Sequence, residues 1–166
     1  MTKSKKWVSI VLHLYLLFCG VVFVLFFIVN GLNAEDLKAI EPYCLDTNET
    51  TLPVLFSQLS NFHSISMSIL FAFLLCIIIG CLPFWKKGKM LLQLGMICYM
   101  IYQINRIMYH KTLIAETMSA RLSNVDFVSE KVNALMDIPN GAVLILCLSI
   151  ILLLLCFIDC KVSLTN

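Results

Sequence analysis

Polar and aromatic side chains recur at helical spacing in an otherwise apolar stretch near the middle of the chain. They are Tyr99, Tyr102, Arg106 and His110. Residues three or four positions apart share one face of an α-helix, so these side chains would lie side by side. An arginine next to tyrosine hydroxyls can bind an anion or a lipid headgroup, or line a polar path for a solute. The simpler interpretation is that Arg106 extends to a membrane interface, where the tyrosines anchor the helix.

Two of the three histidines, His63 and His110, fall near the ends of predicted helices on the same side of the protein. Imidazole nitrogens ligate metals and haem iron, so this pair is a weak candidate for a metal or haem site. A structural metal site needs about four ligands, and no HxxxH or ExxH spacing accompanies either histidine. The sequence therefore predicts neither a metal ion nor another cofactor.

Eight cysteines are present, and seven of them lie in apolar segments or at their edges. Cys44 alone lies in a polar segment, where it could form a disulfide with a second chain in an oxidising compartment. Cys156 and Cys160 are one helical turn apart at the end of an apolar segment, which makes them candidates for lipidation. The alternative for each cysteine is a free thiol that packs as a small apolar side chain. An exposed Cys-x-x-Cys pair, typical of thiol oxidoreductases, is absent from the sequence.

The segment Asn48-Glu49-Thr50 matches the acceptor pattern for N-glycosylation, so Asn48 is a candidate modification site. The pattern is short and common. It has meaning only if the segment lies outside the cell and the host glycosylates such sites.

The composition is that of an integral membrane protein. Hydrophobic residues make up 60% of the chain and charged residues 13%, and the mean hydropathy is +0.93. Soluble domains are about half apolar and about one quarter charged. The net charge of +2 is too small to indicate nucleic acid binding. The expected surroundings are therefore a lipid bilayer.

Four apolar segments, residues 7–29, 65–85, 90–108 and 142–158, are long enough to cross a bilayer. A helix of roughly 20 residues spans the hydrocarbon layer of about 30 Å. The sequence predicts an all-α membrane protein: a four-transmembrane-helix up-down bundle that forms one domain over residues 1–166. The first segment could instead be a signal peptide, but its apolar run exceeds the usual signal core of about 7–15 residues.

The charges predict an orientation. Lysines precede the first segment, lie between the second and third, and follow the fourth, whereas nearly all acidic residues lie in the two long loops, 30–64 and 109–141. Because positive residues remain on the cytoplasmic side, we expect both termini in the cytoplasm and both loops outside. A plasma membrane or a bacterial inner membrane fits this orientation best.

The outer loops carry helix signals, which predict a small helical extracytoplasmic cap. Asn33 resembles a helix start, and Pro42 should end that helix at Glu41. Pro53 resembles the first turn of a helix that continues from about Leu52 to Trp85. Apolar residues in the second loop also recur at helical spacing, and Pro139-Asn140-Gly141 is predicted to be a turn.

Helices in a bilayer associate through small and polar residues, because lipid chains are as apolar as leucine. Each segment has such residues at helical spacing, and these predict the faces that meet inside the bundle. They are Ser9, His13 and Gly20; Ser57, Ser60, Ser64 and Ser68; Gly88, Gly95, Tyr99, Tyr102, Arg106 and His110; and Ala142, Ser149, Cys156 and Cys160.

Catalytic groupings are missing from the sequence: it has no glycine-rich phosphate loop, no Ser-His-Asp arrangement and no carboxylate pair inside a span. We therefore expect a non-enzymatic accessory, assembly or regulatory subunit that binds another membrane protein or itself. One alternative is a small channel or carrier with its polar path along the third helix. Another is a haem- or redox-active membrane enzyme that uses His63 and His110.

Overall fold

The computed structural model describes residues 3–45, 51–82, 86–121, 132–133 and 138–164. Within these ranges the secondary structure is α-helical, which confirms the predicted all-α class. Four long helices follow one another along the chain. They are α1 (Lys3–Leu45), α2 (Thr51–Cys81), α3 (Lys86–Arg121) and α4 (Ile138–Leu164).

Three of these helices are long and apolar enough to cross a membrane. Their apolar stretches are Lys6–Pro42 in α1, Leu52–Cys81 in α2 and Asn140–Val162 in α4. Helix α3 has the length but is interrupted by glutamine, asparagine, arginine and tyrosine side chains between residues 93 and 109. The predicted third span is thus the least apolar of the four.

Helix α1 is longer than the sequence predicts. A break after residue 29 and an end at Glu41 were expected, but the helix continues to Leu45 with Pro42 in its last turns. A proline inside a helix removes one backbone hydrogen bond and crowds the preceding turn. The side chains of Ile40 and Cys44, on either side of Pro42, are fully buried. Their packing offsets the lost hydrogen bond and keeps the helix intact.

The other helix ends also differ from the prediction by a few residues. Helix α2 starts at Thr51, as expected, but ends at Cys81, where the Leu82 N–H donates to the Ile79 carbonyl at 3.2 Å. Helix α4 includes Pro139-Asn140-Gly141, so the predicted turn is wrong. Proline is tolerated there because first-turn N–H groups have no partner inside the helix. Residues 122–131 and 134–137 of the predicted second outer loop lie outside the described residues.

Helix α2 packs against all three other described helices, and α4 packs against α1 and α3 as well. Among the fully buried side chains of α2 are Phe62, Ile69 and Phe73, which face these neighbours. The hydrophobic core is therefore arranged around α2.

Gly80 in α2 lies close to all three other described helices. A Cβ atom added there would lie 3.0 Å from Leu16 Cδ2 of α1, 3.4 Å from Gln93 Nε2 of α3 and 3.6 Å from Leu152 Cδ1 of α4. Glycine at a helix contact lets backbones approach closely, as in membrane helix pairs. A Cβ here would press on the Leu16 side chain and meet Gln93 and Leu152 at ordinary contact distance.

We predict that Gly80→Ala destabilises the protein relative to Gly95→Ala. Alanine is the better helix former by about 1 kcal/mol, and a Cβ at Gly95 would meet no atom within 4 Å, so that variant keeps the full gain. At Gly80 the Leu16 side chain has to move, which costs about 1–3 kcal/mol. Unfolding by heat or denaturant in detergent micelles measures both variants. Equal stabilities would contradict the close contact at Gly80.

Candidate functional site

The interior faces of the helices only partly match the small-residue prediction. In α4 the prediction is confirmed, because all four predicted residues are buried: Ala142, Ser149, Cys156 and Cys160. In α1 the prediction is wrong: His13 is exposed, and the core side carries Leu12, Leu16 and Cys19 instead. The buried face of α1 is thus offset from the predicted face by one residue, which is a rotation of about 100° around the helix axis.

The predicted faces of α2 and α3 are also wrong. Ser57, Ser60 and Ser64 are exposed, whereas Leu55, Leu59 and Phe62 fill the core on the other side of α2. In α3, Gly95, Tyr99, Tyr102 and Arg106 are all exposed. Large apolar side chains make many more van der Waals contacts than serine or glycine, so they decide which face is buried.

The four predicted site residues of α3 follow its outer surface. Tyr102 is 60% exposed, and His110 is half-buried, with no hydrogen-bond partner for its Nδ1 in the described part of the chain. Tyr99 and Arg106 are linked through the buried Gln103. The Gln103 Nε2 donates to the Tyr99 hydroxyl at 2.6 Å, and the Arg106 Nη1 donates to the Gln103 Oε1 at 3.3 Å. Tyr99 and Arg106 therefore form a polar ladder with Gln103 along α3, and Tyr99 also lines a shallow groove against Ser68 and Phe71 of α2. The four predicted residues do not line one common pocket.

A buried polar cluster outside the predicted site residues lies near the start of α3. Gln93 is only 1% exposed, and its Nε2 donates to the Cys76 carbonyl of α2 at 3.2 Å and lies 3.7 Å from the Cys156 Sγ of α4. Its Oε1 has no hydrogen-bond partner within the described residues. Lys89, one turn earlier, is also buried. Lys89 and Gln93 recur at helical spacing with the apolar residues Ile97 and Met100. This spacing is the sequence signal that could have placed the two polar residues on the buried face of α3.

A second polar cluster joins α1 to α2 near the middle of α1. The Asn30 Nδ2 donates to the Phe26 carbonyl at 2.9 Å, and the Asn30 Oδ1 accepts from the Ser66 hydroxyl at 2.7 Å. The His63 Nε2 lies 3.1 Å from the Asn30 carbonyl oxygen. His63 thus faces α1, and this contact does not support the predicted pairing with His110.

A cavity of about 420 Å³ adjoins this second cluster, between α1, α2 and α4. Its polar side chains are Asn30, Asn33, Ser66 and Asn140, and the remaining lining is apolar. The lining residues are Phe26, Val29, Asn30, Asn33, Ser66, Ile69, Leu70, Asn140, Gly141, Ala142, Leu144 and Ile145. Ligand cavities in proteins typically measure about 300–1,000 Å³ and combine apolar walls with a few polar groups. Of the sites in the described residues, this cavity has the geometry most suited to a ligand.

The cysteine predictions change with the structure. Cys44 is fully buried, so it cannot reach a second chain while the end of α1 stays packed. Cys156 and Cys160 are buried too, which does not favour lipidation, whereas Cys81 at the same end of the bundle is exposed. Asn48 lies outside the described residues, so its prediction remains open. In the described part of the chain, no group of three or more His, Cys, Asp or Glu side chains could hold a metal ion.

No protein-family model matches the sequence, and no curated protein or solved structure is similar to it at a significant level.

We predict an energetic coupling between Asn30 and Ser66. Their hydrogen bond lies in the protein interior, where side-chain hydrogen bonds between membrane helices contribute about 0.6 kcal/mol on average and up to about 1.7 kcal/mol. A double-mutant cycle with Asn30→Ala and Ser66→Ala should give a coupling energy in this range. The control cycle pairs Asn30→Ala with Ser60→Ala on the exposed face of α2 and should give none. Equal values in the two cycles would contradict the contact.

We predict that Cys44 reacts slowly with a membrane-impermeant maleimide. Burial raises the pKa of the Cys44 thiol, so the reactive thiolate forms only at higher pH than for an exposed cysteine. The control is Glu41→Cys in a Cys44→Ala background, because Glu41 is exposed on the preceding turn. Labelling of Cys44 should require a higher pH than labelling of the control and should reach the control rate after denaturation. Equal rates in the native protein would contradict the burial.

Proposed function

We propose that the chain is a multi-pass membrane protein whose four helices cross the bilayer in an up-down arrangement, with both termini in the cytoplasm. Three helices have the necessary length and apolarity. Helix α3 packs against both α2 and α4, so it would lie at the same depth in the bilayer as these two helices. The contacts of Gln93 with Cys76 and Cys156, and of Ser149 with Met100, are those of neighbouring helices that run in opposite directions.

The orientation follows from the charges and can be tested directly. Lysines cluster at the predicted inner ends of the helices, and the positive-inside rule places those ends in the cytoplasm. The Glu41→Cys protein should then react with the impermeant maleimide in intact cells. Reaction only after permeabilisation would reverse the proposed orientation.

The exposed surface of α1 has the character of a lipid-facing surface. Only 17% of its most apolar stretch is buried in the protein, against 44% for α2. Its exposed side chains between Ile10 and Leu32 include leucine, isoleucine, valine and phenylalanine. Acyl chains cover such a surface at no cost, because they are as apolar as these side chains.

The exposed surface of α3 has a different character, and this contrast carries the functional proposal. Tyr99, Tyr102, Asn105 and Arg106 are exposed on a helix that packs inside the same bundle. Polar and charged groups are costly in hydrocarbon unless other polar groups cover them. We infer that a second membrane protein covers this face, through hydrogen bonds to the Tyr99–Gln103–Arg106 ladder.

The proposed function is therefore that of a non-enzymatic accessory, assembly or regulatory subunit that acts by binding a membrane protein through α3. The two alternatives gain less support. Met100, Leu152 and Phe73 are fully buried where a path through the described part of the bundle would run. His63 contacts the Asn30 carbonyl, so its ring nitrogen already has a partner where haem ligation would need it free.

Photocrosslinking in cells tests this proposal. A benzophenone amino acid replaces Tyr102 in one protein and Leu14 of α1 in the other, because the two positions are equally exposed, at 60% and 61%. We expect a discrete protein adduct from position 102 and only lipid adducts from position 14. In addition, the double variant Tyr102→Leu, Asn105→Leu removes two polar side chains from the proposed interface. The amount of the crosslinked protein that co-purifies with it in mild detergent should fall by about tenfold or more.

Two observations together would contradict the proposal. If position 102 gives only lipid adducts, and the tagged chain purifies as a free monomer, α3 does not bind a protein partner. A single symmetric elution peak and an unchanged unfolding temperature of the double variant show that lost co-purification reflects the α3 surface and not unfolding.

A further inference from the structure

We propose that the cavity between α1, α2 and α4 binds a neutral membrane lipid, with a hydrocarbon chain in its apolar part and an uncharged hydroxyl or ester group at Asn33. This proposal uses the membrane location proposed above but not the α3 partner. The lining residues come only from the other three helices. The cavity and the α3 surface are therefore separate features.

Asn33 is the residue that indicates a ligand. Its side chain is only 9% exposed, it lines the cavity, and its carboxamide makes no hydrogen bond within the described residues. The amide atoms of Asn33 are reachable from the cavity, where water or a ligand group can pair with them. The neighbouring Asn30 is already satisfied by Phe26 and Ser66. A ligand would therefore find the Asn33 donor and acceptor available.

The polar groups of the cavity select an uncharged headgroup. Three carboxamides and one hydroxyl contribute, from Asn30, Asn33, Asn140 and Ser66, and among the described residues no lysine, arginine, aspartate or glutamate lines the cavity. A phosphate or carboxylate placed here would lose its hydration without gaining a counter-charge. Hydroxyl and ester groups need only the hydrogen bonds that a carboxamide provides.

The rest of the cavity suits a hydrocarbon chain that enters from the side. Phe26, Ile69, Leu70 and Ile145 form its apolar wall. Val29 of α1 and Leu144 of α4, which are 50% and 49% exposed, connect this wall to the outer surface of the protein. A lipid could thus pass from the bilayer between α1 and α4 without crossing water.

Gly141 is important for the shape of this cavity. A Cβ at this position would meet the ring of Phe26 closer than van der Waals contact. Glycine therefore lets α4 approach α1 next to the cavity while the Phe26 ring stays in the wall.

Photoaffinity labelling with purified protein in lipid nanodiscs tests the proposal. The probes are a photoactivatable diacylglycerol, a photoactivatable sterol and a photoactivatable phosphatidylserine, each with an alkyne tag. We expect saturable labelling by at least one neutral probe, mapped to residues 26–33, 66–70 or 140–145, and at least fivefold weaker labelling by phosphatidylserine. The two neutral probes distinguish a glycerolipid from a sterol.

Two pairs of variants provide matched controls. Leu144→Trp fills the mouth of the cavity, whereas Val143→Trp places the same ring on an adjacent residue that is 47% exposed and does not line it. Asn33→Leu removes the free carboxamide, whereas Asn61→Leu removes an exposed carboxamide of α2 outside the cavity. Labelling by the neutral probe should fall about fivefold or more in Leu144→Trp and Asn33→Leu, and it should stay unchanged in both controls.

Three outcomes would overturn the proposal. They are labelling that does not saturate, equal labelling of each variant and its control, and equal labelling by phosphatidylserine. Unfolding temperature and elution volume verify that each variant is folded, and Asn33→Gln, which keeps the carboxamide, should restore part of the labelling lost in Asn33→Leu.

This result is independent of the α3 proposal. Protein in which Tyr102 and Asn105 are changed to leucine should label normally, and Leu144→Trp should still capture the α3 partner. Loss of labelling without loss of the partner would reject only the lipid site, and the reverse result would reject only the partner.

Discussion

The close approach of α2 to its three neighbours at Gly80 is the constraint on which the rest of the bundle depends. Because residue 80 has no side chain, the Gln93 amide reaches the Cys76 carbonyl one turn earlier, and Leu16 and Leu152 close the same gap from α1 and α4. If the helices cross a bilayer, as proposed, the hydrophobic effect does not drive them together, and such contacts and interhelical hydrogen bonds determine their arrangement. The contact at Gly80 brings Cys156 close to Gln93 and thereby orients α4.

A second interhelical contact, between Asn30 of α1 and Ser66 of α2, lies next to the cavity between α1, α2 and α4. The Asn30 carboxamide gives one hydrogen bond to its own helix and accepts one from Ser66 of α2, so it holds the two helices together. Asn33, almost one turn later, lines the same cavity and makes no side-chain hydrogen bond within the described residues. Of the two neighbouring amides, Asn33 is therefore the more available to a ligand. Helix α3 lies outside this cavity and places its tyrosines and Arg106 on the outer surface, so lipid binding and partner binding would use different helices.

The sequence was a good guide to the helices and a poor guide to their faces. Apolar length and proline positions predicted four long helices and the start of α2 near Leu52. Proline misled twice, at Pro42 and Pro139, because both lie near helix ends, where a missing N–H matters little or is offset by packing. The small-residue rule succeeded in α4 and failed in the other three helices. There, leucine, isoleucine and phenylalanine side chains fill the core, and serine or tyrosine side chains lie outside.

The sequence by itself determined the all-α class, the number of long helices and the regions where polar residues interrupt apolar ones. Only the tertiary structure decided which of those polar residues face inward: Asn30, Ser66, Lys89 and Gln93 do, whereas Tyr102 and Arg106 do not. The reason is physical. In a soluble helix the polar residues mark the face toward water, but a helix in lipid is apolar on both its lipid-facing and its core-facing sides. Periodicity alone then cannot distinguish the two sides, and the contacts between helices decide which side is buried.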